Sequence, residues 1–279
     1  ATEIAHFFGG LGTKVNIVQR SKVLLTNEDK EISNKFTEIF RKKYNVMTGF
    51  LAKKVSKKKG QFIVEVESTD EKKRISKELI SDQLLVCYGR VPNTDILDVK
   101  KTNVDTDDKG FIKINEYLET TTKNIWAFGD IAGKYQFKHS ANLEAEYAFQ
   151  NVVLDKRVVV DYTAMPHAIF SYPQIAGVGL REQDLIEKKI DYAVGRCEFI
   201  KTGMGVAYQD NEGFMKIFVD KQSKKILGCH SMGSEASTLV HEVIIAMKAG
   251  LTVDSIKETV HIHPALSEVV QRAVNKIEW

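Results

Sequence analysis

The order of helix-like and strand-like segments changes near residue 165, and this change restricts the possible folds more than any other feature of the chain. Before it, a helical pattern leads into the strand-like KVNIVQR (14–20), and a second helical pattern leads into short strands around 50–56, 61–68 and 72–77. After it, strand-like segments come first and two or three helices close the chain. Alternation is typical of α/β layers, and strands followed by helices are typical of α+β domains. The sequence therefore predicts an α/β part and an α+β part.

The chain opens with a helical pattern whose apolar residues are Ile4, Phe7, Phe8 and Leu11. A helix that feeds a strand in an α/β sheet normally follows another strand. We therefore expect the first strand of this domain to lie before residue 1. The next helix is predicted to begin at Thr26 as its N-cap, with Asp29 in the place of a capping-box acid, and to run to about Tyr44.

Two further apolar runs are predicted to be strands. DQLLVCYG (82–89) is nearly continuous and indicates a buried strand, and NIWAFG (124–129) indicates a short strand directly before Asp130. Residues 1–90 then form a helix, a strand, a helix, a meander and a strand, which is most of a Rossmann-like dinucleotide-binding domain. NLEAEYAFQNVVL (142–154) is predicted to be a helix.

Composition argues against several kinds of partner. The net charge of +3 is too small to indicate nucleic-acid binding, and the densest basic run, KKVSKKKG (53–60), is predicted to be a solvated hairpin turn. No apolar run approaches the ~20 residues that a membrane-spanning helix needs, so no membrane partner is expected. Cys87, Cys197 and Cys229 form no redox or zinc spacing. We therefore expect a reducing, cytoplasmic compartment and no metal site.

The stretch HIHPALSEVV (261–270) has two interpretations. In the structural one, Pro264 lies in the first turn of an amphipathic helix, His263 is a loop or N-cap residue and Glu268 faces water. In the functional one, Glu268 orients the imidazole of His263 and raises its basicity. By itself the stretch favours the structural interpretation.

Four segments of the chain occur in a characteristic order: GRVPN (89–93), TTTKNIWAFGD (120–130), IFSYPQIAGVG (169–179) and HIHPALSE (261–268). In this order they resemble the class I flavin-dependent pyridine nucleotide–disulfide oxidoreductases, with the dihydrolipoamide dehydrogenase and mycothione reductase members looking closest. The resemblance covers essentially the whole chain. It implies an NAD(P)-binding domain at 1–90 without its first strand, the remainder of the FAD-binding and central domain at 91–164, and a dimerisation domain at 165–279 that forms a homodimer.

The resemblance also implies cofactor contacts. Ala1 and Glu3 match the end of the glycine-rich turn that approaches pyrophosphate, and Glu3 would lie near the nicotinamide, although a first-turn acid also suits the helix dipole. Asp130 matches the aspartate that binds the flavin ribityl chain, and Gly89 is assigned to cofactor binding with it. The backbone that approaches the flavin matches Gln136, Phe137, Lys138 and His139.

Gln19 stands where NAD-preferring members carry an acid that binds the ribose 2′-hydroxyl and repels a 2′-phosphate. Arg20 follows it, matches an arginine of NADP-using relatives and suits a 2′-phosphate, while Lys22 lies two residues further on. A second arginine expected near Thr26 is missing, and Arg20 and Lys22 also suit a solvated loop. We expect NADP to be preferred over NAD, with FAD as the second cofactor.

His263 and Glu268 match the acid–base histidine and its carboxylate partner in this family, and His261 is assigned a structural role. The implied function is electron transfer between NAD(P)H and a dithiol or disulfide, either of the lipoyl type or a small molecule. Mycothione or glutathione reductase-like and mercuric reductase-like functions remain alternatives, although the terminal Cys pair of mercuric reductases is missing.

The sequence contains neither the N-terminal FAD domain of the family nor its redox Cys pair. We therefore expect these residues alone to be catalytically incomplete and to bind flavin weakly. An inactive module for dimerisation and nucleotide binding is the alternative of another class.

Overall fold

The computed structural model describes residues 1–279, which form two compact units. One unit combines residues 1–86 with 166–279, and the other comprises residues 87–165. The first and third predicted domains share one unit of the structure. The predicted domain boundaries near residues 90 and 165 therefore stay a prediction. Helices and sheets are both present, as the sequence predicted.

A βαβ arrangement opens the first unit. Its elements are helix α1 (Thr2–Gly10), strand β1 (Asn16–Gln19), helix α2 (Lys30–Lys43) and strand β2 (Asn45–Thr48). The two strands pair in parallel, with Gln19 opposite Thr48. Their carboxyl ends therefore lie at one edge of the sheet, which is where ligands bind in open α/β folds.

Helix α2 begins later than predicted, because Asp29 and not Thr26 is its N-cap. The Oδ1 atom of Asp29 accepts a hydrogen bond from the backbone N–H of Glu31 at 3.0 Å. Asp29 is fully buried and contacts the ammonium group of Lys216, whereas Thr26 is exposed. The buried charge partner thus decides where the helix starts. The apolar face of α2 buries Ile32, Phe36, Ile39 and Phe40.

A three-stranded antiparallel meander follows. Its strands are β3 (Phe50–Lys58), β4 (Gln61–Ser68) and β5 (Ser76–Ser81). The last strand begins four residues after the predicted start, because Asp70 organises a turn by accepting hydrogen bonds from the backbone N–H groups of Lys72 and Lys73. The basic run lies mostly in exposed β3, and the predicted hairpin turn is formed by Lys59 and Gly60, both with positive φ.

The prediction of a buried strand at residues 82–89 is wrong. No residue of this segment belongs to a strand, and Leu85, Val86 and Tyr88 are exposed. A strand needs a neighbour for its ladder hydrogen bonds, and this segment pairs with none of the strands in the structure. The apolar character of residues 82–89 is therefore not sufficient to make this segment a strand.

The second unit is mostly turns and loops. Its helices are α3 (Thr94–Leu97), two 3₁₀ turns (Val99–Thr102 and Gly129–Ala132) and α4 (Lys138–Val152). NIWAFG forms only one isolated bridge, from Trp126 to Glu119, because the chain turns at Thr122 and leaves no length for a ladder. Helix α4 begins four residues before the predicted Asn142, after an extended Phe137 whose carbonyl accepts from Ser140.

The C-terminal part confirms the α+β prediction. Its strands are β6 (Pro166–Ile169), β7 (Gln174–Gly179), β8 (Tyr192–Glu198), β9 (Phe214–Asp220) and β10 (Ile226–Gly233). They form an antiparallel sheet in the order β6-β7-β10-β9-β8. Its helices are α5 (Glu182–Glu187), α6 (Gly203–Ala207), α7 (Ala236–Lys248), α8 (Val253–Glu258) and α9 (Glu268–Asn275), with a 3₁₀ turn at Phe199–Lys201.

Helix α7 packs against β7 and β10 and buries Leu239, Val240 and Val243. Helix α9 packs against β8 and β9 and buries Val269, Val270 and Val274. The sheet thereby holds the start of α9, where Glu268 lies. No helix in the structure combines the length and apolar character needed to span a bilayer.

Candidate active site

His263 lies in the loop that precedes α9, and Glu268 is the first residue of that helix. The Nδ1 atom of His263 is 3.1 Å from Oε1 of Glu268. Glu268 has 8% of its side chain exposed, whereas His263 has 72% exposed. The pair therefore holds one ring nitrogen against a fixed carboxylate and leaves the other nitrogen, Nε2, at the surface.

Other donors fix the Glu268 carboxylate in place. The backbone N–H of Ala265 donates to Oε2 at 3.2 Å, and the guanidinium group of Arg272 lies 3.4 Å from Oε1. The hydrogen bond from His263 is the main cause that lowers the pKa of Glu268; burial opposes it, and Ala265 and Arg272 lower the pKa further. The carboxylate is thus ionised at neutral pH, which is the state that accepts a hydrogen bond from Nδ1–H.

This geometry corrects the structural interpretation of HIHPALSEVV (261–270). Pro264 is not in the helix, because α9 begins only at Glu268 with Ser267 as its N-cap. The Glu268 carboxylate does not face water; it turns back onto Ala265 and His263. The sequence therefore paired the two side chains correctly, and their acid–base role stays a prediction.

His261 has the opposite surroundings. Its side chain is buried, and Nδ1 donates to the carbonyl of Thr259 at 3.0 Å. Nε2 lies 3.3 Å from Oε2 of Glu242 but is not aligned for a hydrogen bond. Burial raises the pKa of Glu242, and the attraction of His261 opposes that rise. A buried ring packed against a carboxylate in the same unit fits the structural role expected of His261.

The predicted nucleotide contacts lie at the carboxyl end of β1. Gln19 is half-buried opposite Thr48, and Arg20 is exposed and pairs with no carboxylate. Arg41 reaches the same edge, where its Nη2 donates to Oγ1 of Thr48 at 2.6 Å. Lys22 is exposed as well. A positively charged edge free of carboxylate partners is thus available to a phosphate.

Ala1 and Glu3 open helix α1, Ala1 as the N-cap and Glu3 in the first turn. The Oε1 atom of Glu3 accepts a hydrogen bond from the backbone N–H of Phe170 at 2.8 Å. Glu3 therefore ties α1 to the end of β6 in this structure. A nicotinamide contact of Glu3 stays a prediction.

The predicted flavin contacts of the second unit share one partner that sequence reasoning missed. Nη1 of Arg90 lies 2.9 Å from Oδ2 of Asp130 and 3.1 Å from the carbonyl oxygen of Gln136, to both of which it donates. Arg90 follows Gly89, whose φ of +143° suits glycine. The only signal for Arg90 in the sequence was its place in GRVPN.

Further contacts position this segment. The backbone N–H of Gly129 donates to the buried carboxylate of Glu144, which holds the 3₁₀ turn that carries Asp130. The rings of Phe137 and His139 stack with centroids 5.1 Å apart at the start of α4. Lys138 donates to the side-chain oxygen of Asn142 one turn on. The structure thus brings the predicted residues 130 and 136–139 into one region of the second unit.

Sequence reasoning also missed a buried ionic cluster in the first unit. The ammonium group of Lys216 lies 2.6 Å from Glu182, 3.2 Å from Asp29 and 3.2 Å from Glu31. Burial alone would lower the pKa of Lys216, but the hydrogen bond to Glu182 and the charges of the three acids raise it. A lysine inside the apolar run GFMKIFVD was the available signal, since a buried lysine needs a partner.

Family models match most of the chain. The model described as "Pyridine nucleotide-disulphide oxidoreductase" matches residues 1–145. The model described as "Pyridine nucleotide-disulphide oxidoreductase, dimerisation domain" matches residues 165–274.

Individual relatives agree with these matches. Mycothione reductase from Mycobacterium tuberculosis is 34% identical over 280 residues, which is 98% of this chain and 59% of the relative. Dihydrolipoyl dehydrogenase from Geobacillus stearothermophilus is 31% identical over 97% of this chain and 57% of the relative. The chain thus spans somewhat more than half the length of the curated relatives it matches.

Among solved structures, the HOCl-induced flavoprotein disulfide reductase RclA from Escherichia coli has the same fold. It superimposes with a TM-score of 0.88 at 24% identity, over 98% of this chain and 62% of that chain.

Proposed function

The chain belongs to the pyridine nucleotide-disulphide oxidoreductase family, and we propose that it supplies the nicotinamide-nucleotide site and the acid–base histidine of an FAD-dependent enzyme that moves electrons between NAD(P)H and a dithiol or disulfide. The observation that carries this proposal is the buried, hydrogen-bonded carboxylate of Glu268 behind the exposed ring of His263. An orienting acid behind a base is the arrangement that acid–base catalysis needs.

Residues of the second unit fit a flavin. Asp130 is exposed and offers carboxylate oxygens that accept hydrogen bonds from hydroxyl groups. The N-cap residue of α4, Phe137, makes no side-chain hydrogen bond to the helix, and the N-terminus of a helix favours a ligand oxygen. A bound flavin would supply two-electron chemistry between the nicotinamide nucleotide and a disulfide.

His263 would handle the proton of the exchange step. Thiol–disulfide exchange needs a thiolate, so a base must remove the thiol proton. Nε2 of His263 takes this proton, while the ionised Glu268 accepts from Nδ1–H and stabilises the imidazolium that forms. In the reverse direction Nε2 returns the proton to the leaving thiolate. Such acid–base assistance is typically worth ~10²–10⁴-fold in rate.

The proposed nucleotide is NADPH. Gln19 brings no negative charge that would repel a 2′-phosphate, and Arg20 has no carboxylate partner that would compete with one. A guanidinium group can bind a phosphate through two parallel hydrogen bonds. Arg41 adds positive charge at the same edge of the sheet.

The proposed assembly is a homodimer, supported by the dimerisation-domain match at residues 165–274. The apolar side of α7 is mostly buried against the sheet and so gives little support. Better support comes from Val260 and Ile262, which are 93% and 77% exposed next to His263. In the proposed dimer this segment is covered by the second chain, and His263 acts in that chain's site.

The proposed substrate is a small-molecule or lipoyl-type disulfide. Relatives named mycothione reductase and dihydrolipoyl dehydrogenase match at similar identity, 34% and 31%, so both substrate classes belong to the proposal. A cytoplasmic location is part of it as well, supported by three free cysteines.

The test is an assay of this chain joined to an N-terminal FAD domain that carries the redox Cys pair, loaded with flavin, with NADPH and two acceptors, lipoamide and mycothiol disulfide. Sustained NADPH oxidation that depends on one acceptor supports the proposal and identifies the substrate class. Reduction of the flavin without turnover of any disulfide would contradict it and would favour an inactive dimerisation and nucleotide-binding module.

A further inference from the structure

Two histidines of the first unit lie on one face of the C-terminal sheet. His167 of β6 and His230 of β10 are each directly opposite Gly177 of β7, in the strand between them. Residues directly opposite in adjacent strands share a face of the sheet. The three residues therefore form one row, histidine–glycine–histidine, with ring centroids of the two imidazoles 6.3 Å apart.

Gly177 makes room for both rings. A Cβ atom at this position would lie 2.5 Å from Nδ1 of His230 and 2.8 Å from Cε1 of His167. Glycine in the interior of a strand weakens the strand, and it often marks a place where another group approaches closely. Here the groups that approach are the two imidazoles, which lean toward each other over the glycine.

Glu28, in the segment between β1 and α2, is the third member of this group. Its Oε2 atom lies 2.8 Å from Nε2 of His167, and the residue is buried. Its backbone is fixed as well, since Gln183 donates to its carbonyl at 2.8 Å and Arg181 donates to the carbonyl of Asn27 at 2.8 Å. The carboxylate is therefore held over the sheet by a rigid segment.

His230 has a nitrogen lone pair without a partner. Its Nε2 lies 3.0 Å from the carbonyl oxygen of Leu180, and because a carbonyl only accepts, Nε2 carries the proton. Its Nδ1 is then unprotonated, buried and without a hydrogen-bond partner. Because the ring is wholly buried, its uncharged form is favoured. A buried acceptor that lacks a donor is unfavourable unless another group binds it.

We propose that Glu28, His167 and His230 form a binding site for a divalent transition-metal ion, with Zn²⁺ as the best match. Their three ligand atoms all lie within 4.8 Å of one another. Two imidazoles and one carboxylate are a common ligand set for zinc, at about 2.0–2.2 Å per bond.

The chemistry of the ligands selects this class of ion. Ca²⁺ and Mg²⁺ prefer all-oxygen ligands, and Cu(I) prefers sulfur, whereas this group offers two nitrogens and one carboxylate. The hydrogen bond from Nε2–H of His230 to the Leu180 carbonyl is the outer contact that metal-bound histidines usually make, and it fixes the tautomer that presents Nδ1.

The charge of Glu28 favours a cation. Glu28 is buried, and its carboxylate is paired with His167 and not with a lysine or an arginine. A divalent ion bound by Glu28 would balance this buried negative charge. It would also cross-link the segment that leaves β1 to the sheet.

The first experiment is equilibrium dialysis of chelator-treated protein against Zn²⁺, with metal content measured per chain. His167→Gln and Glu28→Gln are the decisive variants, because His230 is wholly buried. The matched control is His241→Gln, an exposed histidine on α7. We expect wild type and the control to hold one more tightly bound Zn²⁺ per chain than either variant. Affinity should fall by more than the roughly 10–100-fold that loss of an outer contact costs.

A second measurement does not depend on the folding of the variants. Zn²⁺ at about a hundredfold above its dissociation constant should raise the melting temperature of wild type by about 5 °C or more. The His241→Gln control should show the same shift. Equal Zn²⁺ content and affinity in wild type, His167→Gln and Glu28→Gln, or no melting shift in wild type, would overturn the proposal.

Discussion

The Nδ1 atom of His263 lies 3.1 Å from Oε1 of Glu268, across the loop-to-helix junction that begins α9. The amide of Ala265 and the guanidinium group of Arg272 hold the same carboxylate. Because the anchored partner is buried and the histidine is exposed, the imidazole is oriented without being shielded from substrate.

Glu268→Gln preserves the shape of the pair and removes its charge. Because the neutral amide stabilises an imidazolium less well, we expect disulfide turnover, measured with the N-terminal FAD domain joined to this chain, to fall by about 10²-fold or less, the low end of acid–base effects. The pKa of Glu268 is lowered, so the stabilisation from its contacts is fully present above the ordinary carboxyl pKa of about 4.3 and is lost as pH falls through the lowered value. Urea unfolding of wild type and Glu268→Gln between pH 3 and 7 checks this pH dependence of the stability. A stability difference that grows toward acid pH would contradict it.

Lys216→Met should destabilise the first unit strongly. The variant leaves the buried Asp29 without its cation, and breaking a buried ion pair typically costs about 3–5 kcal/mol. Because the pKa of Lys216 is raised, its contribution is complete below the ordinary lysine pKa of about 10.4 and is lost as pH rises through the folded-state value. Urea unfolding at neutral and alkaline pH measures both effects.

The matched control for that variant is Lys224→Met. Lys224 forms a single exposed ion pair with Asp254 at 3.3 Å, and such pairs contribute about 0–1 kcal/mol. Equal losses of stability in the two variants would show that the cluster around Lys216 is not the buried network that the structure indicates.

Arg20→Ala should separate the two nicotinamide nucleotides. A hydrogen bond to a charged group contributes about 1.5–3 kcal/mol, which corresponds to roughly 10–100-fold in affinity for NADPH. NADH has no 2′-phosphate, so its affinity should change little. Binding titrations with both nucleotides test this assignment, using wild type, Arg20→Ala and the neighbouring control Lys22→Ala. Wild type that prefers NADH, with the preference unchanged in Arg20→Ala, would exclude the assignment.

Ile262→Glu should weaken the proposed dimer. Ile262 is 77% exposed next to His263, and a charge buried in an apolar interface without a partner is unfavourable. Light scattering at micromolar concentration should give a dimer mass for wild type and a lower average mass for the variant. Ile186→Glu, at an exposed position on α5, is the control and should remain dimeric. A wild-type protein that is folded and monomeric would refute the assembly.

The sequence predicted those parts of the fold in which local pattern and tertiary context agree. The strand-like segments after residue 165 do form strands, because each has neighbours in the C-terminal sheet. The run at 82–89 has the same local pattern and no neighbour, so it is not a strand. The start of α2 was misplaced because Asp29 is fixed by Lys216, which no local window contains.

The contacts of the candidate sites also differ in whether the sequence could predict them, according to how far apart the partners lie in the chain. His263 and Glu268 are five residues apart, so one stretch of sequence could suggest their contact. Arg90 and Asp130 meet across 40 residues, and Glu28 and His167 meet across 139. Their contacts depend on how the chain folds back on itself, and residue types alone gave no signal for them.

The most direct test of the proposed function is stopped-flow kinetics of His263→Gln in this chain joined to an N-terminal FAD domain that carries the redox Cys pair, loaded with flavin. The variant keeps a polar side chain of similar size at an exposed position, so the fold should be retained. We expect NADPH to reduce the flavin at nearly the wild-type rate, while disulfide turnover falls by ~10²–10⁴-fold. Disulfide turnover within a few-fold of wild type, with normal flavin reduction, would contradict the role of His263.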